Sequence, residues 1–305
     1  MSGGIANVSI DLDPVRCYGA IHALGRAAWP PPREDPIYVR GLPRHRALLD
    51  ALGIRATFFV VARDLEDPWL VGAVRALAAD GHEIASHSLD HRYDLVRLPP
   101  AEMTEQVEAA ASALEAALGA RPRGFRAPGY TVSDALLQAV ARSGARYDAS
   151  VFPCPAYLAA KTAVVGAMRV IGRHSASILG SPRVLAAPVE PYRIGVPYTR
   201  AGGGLLEIPV GVTPRARLPF LGTLLVLAGP RGARRLAAAM RPRGLASLEL
   251  HGIDLCDAVE DGLGALAGRQ LDLHVGLERK RASLQAALAQ LAEDGRRFVR
   301  LDAIV

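Results

Sequence analysis

From about residue 5 to residue 301 the chain alternates short β-rich runs with longer runs of helical period, and this alternation confines it to folds built on a largely parallel sheet covered by helices. Strands are predicted over residues 5–10, 56–61, 83–86, 124–127, 147–150, 205–210, 247–251 and 297–301. Helices are predicted between them over 43–53, 68–80, 101–118, 133–143, 229–240 and 275–294. The run 101–118 is the clearest, with Met103, Val107, Ala110, Leu114 and Leu118 recurring at three or four residues and Gly119 as its stop. No GxGxxG follows the first strand and no lysine-bearing phosphate loop occurs, so a barrel of α/β class with seven or so strand and helix pairs, (β/α)7, is preferred to a doubly wound nucleotide-binding sheet. Two regions break the rhythm, 18–38 and 152–198, both rich in proline and read as long loops that wall a binding site. Neither is a linker, and a single domain over 1–305 is expected.

Lys and Arg together number 36 against 30 Asp and Glu, a net charge of +6, yet only Lys161 and Lys280 are lysines. The arginines are scattered and not interleaved with aromatics, which argues against a nucleic-acid partner. Cys17, Cys154 and Cys256 stand far apart, so neither a disulfide framework nor a cysteine-rich zinc site is expected. Aspartates interrupt the start of the chain before any long apolar run, and the longest uncharged stretch, 219–230, is short and glycine-punctuated. A cytoplasmic protein is expected, with peripheral membrane contact through the apolar tract 218–227 left open against its plainer reading as core and connecting loop.

The residues suited to chemistry gather at predicted strand ends. Asp11 and Asp13 are two apart at the end of the first strand, where extended backbone puts both side chains on one side. They read either as an ordinary strand-end turn or as two carboxylates facing one pocket. His87 and His91, in HSLDH, follow the third strand, and a helical turn between them would direct both imidazoles at one metal. Asp13 or Asp11 supplies the third ligand, leaving positions open for water and substrate. Arg126 ends the fourth strand in FRAPG, and His251 ends a later one in LELH, behind the apolar Leu248 and Leu250. In a parallel barrel such strand ends converge at one mouth.

This set resembles the polysaccharide deacetylase family, the carbohydrate esterases whose domain is named after the nodulation chitooligosaccharide deacetylase. IDLD resembles its paired-aspartate motif, HSLDH its histidine motif, RAPG its third and LELH its last. The resemblance implies a distorted TIM-type barrel, with Asp11 as general base, Asp13, His87 and His91 as metal ligands, Arg126 orienting Asp11, and His251 as general acid. It implies zinc, with cobalt, nickel or manganese as alternatives, and the Gly129 backbone N–H as an oxyanion donor. The family's aspartate-to-tryptophan motif falls on Asp148 and Phe152, and its Asp-Asp-Gly is replaced by Asp11-Leu12-Asp13-Pro14. These departures resemble the branch of lipid-linked formamido-arabinose deformylases and allantoinase-like enzymes.

The implied function is removal of an acetyl or formyl group from the nitrogen of an amino sugar in a small glycoside, glycolipid or natural-product intermediate. The alternatives are hydrolysis of a small non-sugar amide and a catalytically silent carbohydrate-binding or assembly barrel. Keeping Asp11, Asp13, His87, His91 and His251 together argues against silence, because burying such groups without function costs stability. His22, His45 and His82 read as structural or solvent-facing. Cys17 and Cys154 approach the site from its loops without a histidine partner, and of Glu207 and Glu249 one reads as a buried charge paired to an arginine. The oligomeric state is left open.

Overall fold

The computed structural model describes residues 4–25 and 29–305. Its strands are β1 (Ile5–Leu12), β2 (Thr57–Val60), β3 (Glu83–Ser86), β4 (Gly124–Phe125), β5 (Tyr147–Asp148), β6 (Tyr192–Ile194), β7 (Ala201–Glu207), β8 (Leu245–His251) and β9 (Arg297–Phe298). The helices are α1 (Val15–Ile21), α2 (Leu42–Ala51), α3 (Pro68–Ala79), α4 (Pro100–Leu118), α5 (Asp134–Arg142), α6 (Pro155–Val170), α7 (Gly222–Ala239), α8 (Gly264–Ala267) and α9 (Leu277–Glu293). One sheet runs in the order β6-β7-β5-β4-β3-β2-β1-β8, with β9 also on β1. All pairings are parallel except β6 with β7. The chain is thus an α/β protein whose sheet curls into an irregular barrel.

The curl is closed without a regular ladder. Phe220 donates to the Gly211 carbonyl, and Leu221 bridges to Glu249 of β8. Gly211 permits this approach, since a Cβ there would lie 2.1 Å from the Ser247 carbonyl oxygen. At the other end of the barrel, Thr57 and Tyr147 hydroxyls donate to Glu83 at 2.6 and 2.9 Å, and the backbone N–H of Asp302 donates to it at 3.0 Å. Burial raises the Glu83 carboxyl to about 7 despite these donors.

Period-two alternation sorts β1 and β8 into two faces. Outward, the rungs Ala6–Ala246, Val8–Leu248 and Ile10–Leu250 are completely buried in the main core with residues of α7 and α9, including Ala237, Leu284 and Leu288. The intervening rungs are polar: Asn7–Ser247, Ser9–Glu249 and Asp11–His251. A polar column therefore leads to the barrel rim where β1, β3, β4 and β8 end.

Several expectations are corrected. Region 18–38 is not simply loop: α1 occupies its start and a π-helical turn, Ile37–Gly41, leads into α2, while residues 26–28 lie outside the described residues. Region 152–198 contains the sixteen-residue α6 and the antiparallel strand β6. Its prolines flank α6 instead of interrupting it; Pro155 sits in the first turn and the Cys154 thiol accepts from the Tyr157 N–H. The helix predicted from Gly229 begins at Gly222, because Gly229 (φ 70°) and Pro230 kink α7 without ending it. β4 and β5 are two residues each, shorter than predicted, and β7 starts and ends earlier than the predicted 205–210. Among the described residues, no helix is long and apolar enough to cross a membrane.

The turn after β8, Gly252–Leu255, is held from below by α9. Lys280 Nζ, fully buried, lies 3.1 Å from Asp272 Oδ2 and donates to the Ile253 carbonyl at 3.2 Å. Lys280→Met strands a buried carboxylate and should lower unfolding free energy by about 3–5 kcal/mol. Adding Asp272→Leu should restore most of it, as read by urea denaturation of the single and double variants.

Candidate active site

Asp11 leaves β1 with one oxygen 2.6 Å from Arg126 Nη1. The arginine, fully buried, also donates to the Ala149 carbonyl at 2.8 Å and to Ser9 Oγ at 3.0 Å, and its guanidinium lies 4.1 Å over the Phe59 ring. Burial works against the Arg126 charge, but the facing Asp11 and Glu249 carboxylates raise it further. The Arg126 backbone carbonyl is 2.8 Å from His87 Nδ1, which assigns the proton to Nδ1 and leaves the Nε2 lone pair free.

That lone pair meets Asp13. Asp13 Oδ1 lies 3.1 Å from His87 Nε2 and 3.1 Å from His91 Nε2, and the three residues group their donor atoms within 4.8 Å. Neither approach has hydrogen-bond geometry, so Asp13 Oδ1 and both ring nitrogens of His91 are buried without a hydrogen-bond partner. Buried polar atoms left like this, converging from one carboxylate and two imidazoles, fit a divalent cation. Burial would raise the Asp13 carboxyl, yet His91 and His87 bring it well below the usual carboxylate range.

The helical turn expected across HSLDH is not formed. Ser88 and His91 adopt left-handed backbone (φ 65° and 55°), and the His91 N–H donates to Ser88 Oγ at 3.1 Å. The tight turn still brings the imidazoles together, centroids 4.8 Å apart, and Tyr93 packs edge-on against His91 at 4.7 Å.

A second group, Asp11, Glu249 and His251, also has donor atoms within 4.8 Å. Arg126 already occupies Asp11, and a second cation beside a buried guanidinium would be repelled, so this group suits acid–base work instead. Glu249, fully buried, is 3.3 Å from His251 Nδ1, and the Tyr130 hydroxyl is 3.3 Å from His251 Nε2. Burial disfavours the imidazolium, but Glu249, Asp13 and Asp11 outweigh it and push His251 up to about 9. Burial likewise pushes Glu249 up to about 7. Between those values the pair holds one proton.

Asp11, Asp13, His87, Gly129 and His251 line one cleft of about 550 Å³, together with Tyr130 and Tyr157. Gly129 sits in left-handed backbone (φ 61°), and its carbonyl accepts from Lys161 Nζ at 2.9 Å. Asp148 is not brought to the cleft: it is buried in the barrel, accepting from the Ser150 N–H and hydroxyl at 3.0 and 2.8 Å. Phe152 packs against Tyr130 and Tyr157.

Among the described residues neither Glu207 nor Glu249 forms the ion pair with an arginine that was expected for one of them, and Arg126 is ion-paired with Asp11. Glu207 instead accepts from the Val151 N–H and neighbours Asp148, where burial and that aspartate raise its carboxyl. His45 and His82 are structural, bonded to the Gly41 carbonyl and the Ala56 N–H. His22 is partly buried against Gln270, and Cys17 and Cys154 are buried. Sequence reasoning missed Glu249 as the partner of His251, although two-residue spacing on a strand, the rule applied to Asp11 and Asp13, places both on one side. It also missed Tyr93, Tyr130 and Lys161, which carry no motif beyond their own loops.

The rim of this parallel α/β barrel thus gathers two imidazoles and a carboxylate beside an arginine-held aspartate and a carboxylate-held histidine. The polysaccharide deacetylase family model matches residues 35–147, and over that span the chain is similar to the family. The matched span holds His87, His91 and Arg126, while Asp11, Asp13 and His251 lie outside it. A chitooligosaccharide deacetylase of Bradyrhizobium sp. is 37% identical over 101 residues, covering 32% of this chain and 41% of that protein. The matched part of the chain thus spans well under half of such a curated relative. A solved Mycobacterium smegmatis structure described as a polysaccharide deacetylase superposes with a TM-score of 0.61 at 20% identity, over 99% of this chain and 89% of that one. Puue allantoinase superposes with a TM-score of 0.58 at 17% identity, over 98% and 88%. These two share the fold.

The two aspartates should separate on metal analysis. The expected content is about one divalent ion per chain. Asp13→Asn should lower it sharply, whereas Asp11→Asn should keep the ion and lose about 10²–10⁴ of any turnover. Loss of the ion from Asp11→Asn alone would exchange the two assignments.

Proposed function

We propose that the chain is a metal-dependent N-deacylase that cleaves an acetyl or formyl group from an amino sugar, within one catalytic domain over 1–305. The single observation that carries this reading is Asp13 Oδ1, buried 3.1 Å from two imidazole nitrogens without a hydrogen bond, beside a separately anchored Asp11. The deacetylase relative supports the N-acyl amino sugar as substrate class.

Asp13, His87 and His91 would hold the ion, and the donor set suits zinc, cobalt, nickel or manganese. When bound, such an ion supplies Lewis-acid polarisation of the acyl oxygen and of water. Asp11 takes the proton from the attacking water, and Arg126, bonded to one of its oxygens, fixes which oxygen does so. As the imidazolium, His251 faces Glu249 with its Nδ1–H and the cleft with its Nε2–H, and it delivers the Nε2 proton to the departing nitrogen while keeping the other. The Gly129 N–H, in the turn that lines the cleft, is the proposed donor to the developing oxyanion. Base and acid sit on adjacent strands as register partners, so their separation is fixed by the β1–β8 ladder.

Metal-loaded protein incubated with N-acetyl and N-formyl amino sugars should release amine and acid in equal amounts, and chelation should abolish the release. Full activity after complete metal removal would overturn the reading.

The pH profile tests the acid. His251 must be protonated, so activity falls as pH rises through its value, near 9 with Glu249 ionised. Glu249→Gln removes the largest charge that raises it and should shift the alkaline limb of kcat to lower pH. An unmoved alkaline limb would remove His251 from the proton transfer.

A further inference from the structure

One hydroxyl group on the wall of the cleft is buried without a partner. Around the floor, Tyr130 Oη lies 3.3 Å from His251 Nε2, Thr223 Oγ1 donates to Asp254 Oδ1 at 3.3 Å, and the Tyr93 hydroxyl donates to the Cys17 carbonyl at 3.5 Å. The Tyr18 hydroxyl belongs to the same lining, on a residue 4% exposed, and among the described residues nothing accepts its hydrogen bond. An O–H donor taken out of water costs stability unless it finds an acceptor. A donor left in this state on the wall of a ligand cleft is matched by what the cleft binds.

The phenol is held rigidly. Its helix, α1, begins two residues after Asp13, and the Asp35 carboxylate anchors the first turn by accepting from the Val15 N–H at 2.9 Å. Next to Tyr18, Gly19 admits the Trp29 ring, which a Cβ at that position would meet at 2.0 Å. Beyond the helix, His22 Nε2 lies 3.3 Å from Oε1 of Gln270, another residue of the cleft wall. Tyr18 itself packs with Val15, Ile37, Ile253 and Leu273. Burial, then Asp13, Asp254 and Asp272, raise the ionisation of the phenol well above the usual tyrosine value, so it remains a donor. Asp13 belongs to the proposed metal group and Asp254 accepts from the His251 N–H at 2.8 Å, which puts the phenol within electrostatic reach of both halves of the floor.

We infer that Tyr18 Oη is a substrate-binding donor that gives its hydrogen bond to a hydroxyl oxygen of the amino sugar and so orients the ring over Asp11 and His251. The inference rests on the deacylase reading above. In that reading the acyl oxygen is served by the ion and the Gly129 N–H, and the nitrogen by His251, which leaves the oxygens of the sugar itself for Tyr18. The residue thereby selects a sugar over a plain amide of similar size, because a ligand without that oxygen leaves the donor buried and unpaired.

Tyr18→Phe removes the hydroxyl and nothing else. No protein group loses a partner, so metal content should be unchanged and the urea midpoint equal to or above that of the parent. On the methyl β-glycoside of N-acetylglucosamine, kcat/KM should fall about tenfold, mainly through KM. Analogues lacking the 3-, 4- or 6-hydroxyl identify the contact: one of them should lose about tenfold with the parent and nothing further with Tyr18→Phe. A variant penalty undiminished on all three analogues, a loss confined to kcat, or a loss of metal overturns the inference. Binding of methyl β-glucosaminide, the amine product, to the metal-loaded protein separates the two readings. Binding weakened about tenfold in Tyr18→Phe upholds the donor even if no glycoside is hydrolysed. Equal binding by parent and variant, or none by the parent, overturns it even if deacylation is found.

Discussion

The buried ion pair between Arg126 and Asp11 organises the barrel rim. Its guanidinium ties β1 to the segment after β5 through Asp11, Ser9 and the Ala149 carbonyl, while its own carbonyl sets the His87 ring. A fully desolvated arginine is costly unless every N–H finds a partner and the charge finds a counter-charge. Here the Ala149 carbonyl, Ser9 Oγ and Asp11 each accept a hydrogen bond from it, Asp11 supplies the counter-charge and the Phe59 ring lies against its face, so the side chain is held from several sides. One residue thereby fixes the orientation of the proposed base and the tautomer of a proposed metal ligand. Removing it would disturb both together, which explains why two groups that differ in chemistry are built from one rim.

The second constraint is the pleat. Because neighbouring residues on β1 and β8 point to opposite sides, a single pair of strands presents aliphatic rungs to α7 and α9 and polar rungs to the barrel interior. The polar column is not fully satisfied: both side-chain polar atoms of Asn7, Ser247 Oγ and both Glu249 oxygens are buried without hydrogen bonds. Such groups reduce stability. The aliphatic face offsets that cost, and the Lys280–Asp272 pair pins the turn that follows His251. Stability is thus concentrated on one face of the strands whose other face carries the reactive groups.

These two constraints also explain what was legible in the sequence. Strand ends were readable because a polar residue after an apolar β-rich run marks the rim, and Asp11, His87, Arg126 and His251 each do so. Their convergence followed from parallel topology. The local geometry between His87 and His91 was not readable, because a helical i,i+4 pair and a left-handed turn can bring the same two side chains together. α6 was hidden by the prolines around it, whose effect depends on whether they fall in the first turn or the interior. Asp148 resembled a site residue by spacing, yet its carboxylate turns to Ser150 inside the barrel. Glu249 was readable in principle, but a glutamate between two leucines gives no sign of which face its strand turns inward until the neighbouring rung is known.

The segments that broke the rhythm of the sequence are those that build the walls. α6 follows β5, and the loop from Leu218 into α7 completes the irregular closure between Gly211 and β8. A regular strand at that closure would have satisfied its backbone within the sheet and presented alternating side chains to both faces. The short bridge instead lets Leu218, Leu221 and Leu224 lean over the rim. The same departure from regular topology therefore both closes the barrel and brings leucines to the cleft, while Asp11 and His251 stand at the ends of the most regular pair of strands.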